Sequence, residues 1–230
     1  MKVYVVTAPE SARKIFDTWA ECEKVVKGVP GARFQAVANR KTAEVMLAGG
    51  ITLPSGLHAF TDGNAAGGVG LLLVHGGRDV RVAEREISMN VKQVFVDTAF
   101  PGLDSEVAVV AALGKLHNVL AELAALYLAL VAVPAGAELT VVHDYEGVGA
   151  WMQGRWKTKD RIVAMIIDHC QRVTEIRQLR VAYRHQRGHQ SSWAGRDDFV
   201  HWNGRADKLA TQGPNRDRPA SVRPAVPWPI

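Results

Sequence analysis

Three carboxylates in this chain sit where a core-building sequence would not place them. Asp62 follows the β-type run His58-Ala-Phe-Thr and precedes Gly63, Glu122 lies inside the apolar helical run Leu120-Ala-Glu-Leu-Ala-Ala-Leu, and Asp144 ends the apolar strand pattern Leu139-Thr-Val-Val-His. A carboxylate in such a setting is costly to bury unless it is paired or coordinates a cation. Alone, each has a plainer reading: a strand-end Asp caps a turn or the following helix, and Glu122 lies at the edge of an apolar face. Together they favour a site carried on two strand ends and one helix.

Composition narrows the class. With 230 residues, 47% apolar and 22% charged, the chain has the balance of a soluble globular protein and excludes disorder as its main state. Its length leaves room for one domain of about 150 residues and a small companion. Two cysteines, Cys22 and Cys170, build neither a disulfide framework nor a four-thiolate zinc site, and they read as reduced thiols of a cytoplasmic protein. Residues 1–10 lack the pattern of an export signal. The apolar stretch 116–133 is interrupted by His117, Asn118 and Glu122, so it reads as a buried helix, and no membrane partner is expected. Net charge is +5, unevenly spread: residues 51–150 carry five basic and eleven acidic side chains, whereas residues 151–212 carry twelve basic and six acidic. That split suits carboxylates holding cations beside a basic surface that attracts a polyanion.

Along the chain, residues 1–48 read as a small ββαβα unit. Strands are expected at residues 3–6, 14–16 and 33–37, with helices from Thr18, where Glu21 completes a capping box, and after Asn39. Residues 49–56, with Gly49, Gly50, Pro54 and Gly56, read as a short linker. Residues 57–212 read as an α/β layer fold with a mixed sheet. Strands are expected from His58 and at 70–74, β-type sequence over 80–96, and a long helix over 116–131. A strand at 139–142, helices at 145–152 and 160–173, a strand at 179–183 and a short helix from Asn203 complete it. The stretch 96–115 looks enlarged and has no readable function. Five prolines from Pro214 to Pro229 mark residues 213–230 as an extended or disordered tail.

Taken in order, Phe60-Thr-Asp-Gly63, Asn118-Val-Leu-Ala-Glu122, Val142-His-Asp-Tyr145, Gly188-His189 and Asn203-Gly-Arg-Ala-Asp-Lys-Leu-Ala210 resemble the type 1 ribonuclease H family across residues 58–212. The last string is the most telling. The resemblance implies a mixed five-stranded sheet flanked by helices, and an endonuclease that hydrolyses the RNA strand of RNA–DNA hybrids. It also implies that Asp62, Glu122, Asp144 and Asp207 hold metal, that His189 is a mobile histidine of the reaction, and that Asn118 touches the substrate backbone. The chemistry is coherent: two Mg²⁺ (or Mn²⁺) ions about 4 Å apart serve the attacking water and the departing oxyanion, and hard cations take oxygen ligands. One departure is the eighteen-residue step from His189 to Asp207, which is long for the family and leaves His185 and His201 as alternatives to His189.

Ahead of it, Val3-Tyr-Val-Val6, Phe16-Asp-Thr-Trp-Ala-Glu-Cys22 and Gly28-Val-Pro-Gly-Ala-Arg-Phe34 resemble the hybrid-binding domain of ribonucleases H, also seen in viroplasmin. The resemblance implies that Trp19 and Phe34, with Tyr4 as a weaker candidate, pack on DNA sugars, while Lys27 and Arg33 meet phosphates. Gln35 and Ala36 stand where many relatives carry lysines, which implies lower affinity. The alternative is that Trp19 and Phe34 form the core of a tiny domain. In the larger unit, Arg155-Trp-Lys-Thr-Lys-Asp-Arg161 gathers positive charge around Trp156 and Lys157, a pattern that suits phosphate positioning without base readout. The expected partner is thus an RNA–DNA hybrid, with double-stranded RNA a second ligand of the N-terminal unit and protein partners unassigned. A catalytically weak or silent hybrid-binding protein is the alternative, and a transposase or integrase core is a third reading that would lack the N-terminal unit.

Overall fold

A computed structural model describes residues 2–37, 39–47, 53–77, 85–187 and 198–213. The chain divides into two compact units, the first built mainly on residues up to Ser55, with residues 76–77 and 198–201 grouped with it, and the second on the rest of the described chain from Gly56.

The N-terminal unit contains β1 (Val3–Ala8), β2 (Lys14–Phe16), α1 (Trp19–Val26), β3 (Arg33–Val37) and α2 (Arg40–Leu47). Its sheet has the order β2-β1-β3, with both neighbours antiparallel to β1. The period-2 alternation of β1 builds two cores. Val3 and Val5 pack with Val37 and Ala43, while Val6 packs with Phe16, Cys22 and Val26. The expected capping box is present: Glu21 N–H donates to Thr18 Oγ1 at 3.3 Å and Thr18 N–H donates to Glu21 Oε2 at 3.2 Å. Helix α1 stops before Gly28, whose φ of +76° is open to glycine without steric cost.

The second unit carries β4 (Leu53–Gly63), β5 (Gly68–Gly77), β6 (Arg85–Asn90), α3 (Val91–Val96), α4 (Glu106–Leu116), α5 (Asn118–Ala132), β7 (Glu138–His143), α6 (Glu146–Met152), α7 (Arg161–Ile176), β8 (Arg180–His185) and α8 (Asp198–Gln212). The five-stranded sheet runs β6-β5-β4-β7-β8. It is mixed: β6 is antiparallel to β5, whereas β7 is parallel to β4 and to β8. The α/β class and the mixed sheet flanked by helices, with a small three-stranded sheet ahead, are as expected. Helix α5 is buried from Leu120 to Leu130 because it is apolar on all sides, and α7 packs on it.

Several boundaries differ from the sequence reading. The β-type stretch 80–96 contains β6 followed by helix α3, since Asn90 and Gln93 form a capping box that outweighs the β preference of Val91, Val94 and Val96. The long helix expected over 116–131 is α5, which starts two residues later, at Asn118, because the backbone breaks at His117, whose φ is 51° and ψ −128°. Helix α4 occupies part of the stretch 96–115. The last helix starts at Asp198, five residues before Asn203. Strand β4 begins at Leu53. Residues 49–52 and 214–230 lie outside the described residues. Among the described residues, no helix is long and apolar enough to cross a membrane.

Candidate metal centre and nucleic-acid surfaces

The parallel pairing of β4 with β7 aligns Phe60 with Val142 and Thr61 with His143, so Asp62 and Asp144 follow at neighbouring strand ends. Thr61 Oγ1 ties the two strands by donating to the Val142 carbonyl at 3.2 Å. Glu122 comes from the first turns of α5, and Gly63 explains how the helix gets so close. A Cβ on Gly63 would stand 2.2 Å from the Glu122 nitrogen and 2.3 Å from the Ala121 carbonyl carbon, a space that only glycine leaves open. One carboxylate oxygen from each of Asp62, Glu122 and Asp144 lies within 4.8 Å of the others.

Asp62 and Glu122 are held toward their protonated forms. Burial, then the charge of Asp144, then that of Asp207, push the Asp62 carboxyl up to about 8, and Asp144 lies within hydrogen-bond reach of it. Burial and the charges of Asp144 and Asp62 also hold Glu122 well above the carboxylate range, against a bond from the Gly63 backbone. Close carboxylates must share protons or share a cation. Glu122 Oε2 is buried and has no hydrogen-bond partner. An all-oxygen donor set with one buried, unpartnered acceptor fits a hard divalent cation. Asp207, half-buried on α8, stands outside the close trio, yet its charge reaches Asp62.

The strand ends beside Asp144 are braced by two imidazoles. His143 Nδ1 lies 2.9 Å from the Tyr145 carbonyl and His185 Nε2 lies 2.8 Å from the Asp144 carbonyl; carbonyls only accept, so both nitrogens carry the proton. Burial pulls His143 down to about 4 despite that bond, which leaves it neutral. His185, one of the alternatives to His189, is thus engaged with the Asp144 backbone, and His201 lies half-buried on α8. His189 lies outside the described residues. Asn118 is the exposed first residue of α5, one turn before Glu122. Tyr145 escaped the sequence reading. Its ring covers Gly147, where a Cβ would meet it at 2.4 Å, and the charge of Glu122 adds to burial in raising its phenol. Tyr145, Trp151 and Trp156 continue as an aromatic series with centroid spacings of 5.7 and 6.1 Å. Glycine at position 147, beside an aromatic, is the signal that would have found it. Trp156 is 42% exposed, flanked by exposed Arg155 and Lys157.

On the N-terminal unit, Tyr4, Trp19 and Phe34 form one aromatic surface, with centroids 5.5 Å apart for Tyr4–Trp19 and 5.4 Å for Trp19–Phe34. Trp19 is 41% and Phe34 46% exposed, so they are not the core, which the valines of β1 supply. Arg33 is exposed beside Phe34, and Lys27 is exposed and pairs loosely with Glu23 at 3.7 Å.

Residues 2–45 match the family model of the ribonuclease H1 N-terminal domain. No curated protein matches the chain by sequence. Solved structures similar to it include an RNase H1 isolated from compost, 18% identical with a TM-score of 0.44, covering 70% of this chain and 97% of that one. An RNase H1 from the halophilic archaeon Halobacterium salinarum is 18% identical with a TM-score of 0.46, covering 69% of this chain and 97% of that one. The N-terminal RNase H domain of a Mycobacterium tuberculosis protein is 18% identical with a TM-score of 0.46, covering 70% and 95%.

Proposed function

We propose that this chain, whose residues 2–45 match the ribonuclease H1 N-terminal domain, is a divalent-metal-dependent endonuclease that hydrolyses the RNA strand of RNA–DNA hybrids. The observation that carries the reading is the convergence of Asp62, Glu122 and Asp144 within 4.8 Å, with Glu122 Oε2 buried and unpartnered. Asp62, Glu122 and Asp144, with Asp207 on the adjoining helix, would hold two Mg²⁺ or Mn²⁺ ions, which supply an activated water and stabilise the departing oxygen.

The chain's own groups do the rest. The carboxylates orient and neutralise; His185 and Thr61 keep the strand ends of Asp144 and Asp62 in place; His189 serves proton transfer or product release. Asn118 touches the substrate backbone one turn from Glu122. The exposed Trp156, Arg155 and Lys157 seat the DNA strand through phosphate and stacking contacts, without reading base edges. Residues 1–48 act as a hybrid-binding domain whose Trp19, Phe34 and Tyr4 rest on the sugar edge, with Lys27 and Arg33 at phosphates, and residues 57–212 act as the catalytic domain. RNA is told from DNA by its 2′-hydroxyl.

The test is cleavage of a hybrid labelled on the RNA strand, with Mg²⁺ or Mn²⁺ and with a chelator. Metal-dependent cuts in the RNA alone are expected. Binding of the hybrid with no cleavage under either ion would instead make the chain a silent hybrid-binding protein.

A further inference from the structure

Helix α8 carries Asp207 without covalent or strand-pairing ties to the elements that carry the other carboxylates, so something must set its position. Its face toward the sheet rests directly on backbone. A Cβ on Gly70 would lie 2.2 Å from the Ala206 carbonyl oxygen and 2.7 Å from the Ala210 nitrogen, which brings the residues on either side of Asp207 against β5. The middle of the helix is seated by Trp202, fully buried with its ring 6.4 Å from that of Phe60, and by the ion pair of Arg205 with Glu86. Its last turn, where the carbonyls have no partner within the helix, is pinned separately. Asn64 Nδ2 donates to the Ala210 carbonyl at 2.8 Å, and Ser88 Oγ donates to the Leu209 carbonyl at 2.7 Å.

Asn64 does more than cap. It lies two residues after Asp62, in the turn between β4 and β5. Its Oδ1 accepts from Ala66 N–H at 3.0 Å and from Gly68 N–H at 2.9 Å, while its backbone N–H donates to the Gly68 carbonyl at 3.0 Å. One amide therefore closes the turn that follows Asp62 and grips the helix that presents Asp207. We propose that Asn64 is a positioning residue that couples the placement of Asp207 to that of Asp62, with Ser88 as its auxiliary pin; the assignment rests on the nuclease reading above.

The two ends of the Asn64 amide can be separated. Asn64→Asp keeps the acceptor for Ala66 and Gly68 but removes the donor to Ala210. Asn64→Ser removes the reach to Ala210 without adding charge, and Ser88→Ala removes the second pin. In full-length protein, each raises the Mg²⁺ concentration for half-maximal hybrid cleavage by about 3-fold to 10-fold, the worth of one hydrogen bond, with the dissociation constant for hybrid unchanged. In an Asp207→Ala background, Asn64→Asp and Asn64→Ser add nothing further, because residues that act through one another are not additive. A full, additive loss in that background, or a loss confined to hybrid affinity or melting temperature, overturns the assignment. Should the parent protein not cleave hybrid, the nuclease reading fails on its own, and the same cycle is read from Mn²⁺ affinity by calorimetry, where additivity again decides against Asn64.

Discussion

The two units break the rule of apolar inside and charged outside in opposite directions. The N-terminal unit leaves Trp19 and Phe34 about half exposed, beside Tyr4, although a domain of its size has little apolar surface to spare. The larger unit, with an ample core, buries Asp62 at the end of β4 and Glu122 in the first turns of α5. Exposing an aromatic forgoes hydrophobic stabilisation of a few kcal/mol; burying a carboxylate costs more and moves its proton equilibrium. The contrast supports the proposal that the first surface receives flat, apolar faces from a ligand and the second receives positive charge. Binding and chemistry should therefore separate under mutation.

The sharpest separation is expected from Asp62→Asn and Asp144→Asn. Each should abolish cleavage while the dissociation constant for hybrid stays within a few-fold of the parent, because the aromatic surface and the Arg155–Lys157 segment are untouched. Substantial cleavage by both variants would remove these carboxylates from the chemistry. His189→Ala is expected to slow turnover by about 10²-fold to 10⁴-fold, the usual span for a group that moves a proton; a parent-like rate would shift that role elsewhere in the chain. In the opposite direction, Trp19→Ala should raise the dissociation constant by about 5-fold to 150-fold, as base or sugar stacking contributes about 1–3 kcal/mol, with little change in turnover at saturating hybrid. Gln35 and Ala36, in place of cations, push that effect toward its lower end. Equal affinity would assign the N-terminal surface to another partner.

What the sequence conveyed depended on how local the cause was. The Thr18 capping box and the strands of β1, β3 and β7 were readable because neighbouring residues suffice to form them. The helix Val91–Val96 was not, since its valines favour strand and its determinant is the single pair Asn90–Gln93. Nor was helix α4, which ends at Leu116 directly before the break at His117, because that break rests on a positive φ that leaves no mark in composition. The carboxylates were individually visible as charges in apolar runs. Their convergence depends on Gly63 admitting α5 to the end of β4, and the reach of Asp207 depends on Asn64, Gly70 and Ser88, which are contacts between residues far apart in the chain.

Proton linkage supplies a smaller effect. A carboxyl held near 8 in the fold, as Asp62 is without cation, contributes stability that is complete below its ordinary value near 4 and is lost as pH rises through 8. Metal-free protein should therefore lose thermal stability between pH 4 and 8, and saturating Mg²⁺ or Mn²⁺ should restore it progressively, by about 5–10 °C at the upper end. An ion-induced shift of the same size at pH 5 and pH 8 would contradict the burial of ionisable carboxylates at the site.

If Asp62, Glu122 and Asp144 form a cation site, the protons held there give way to metal. Calorimetric titration of the full-length protein with Mn²⁺ near pH 7, repeated in buffers of different ionisation enthalpy, measures both binding and the protons released. Ion binding with net proton release is expected in the parent, and loss of both in Glu122→Gln. Binding without proton release, or an equal titration in Glu122→Gln, would contradict it.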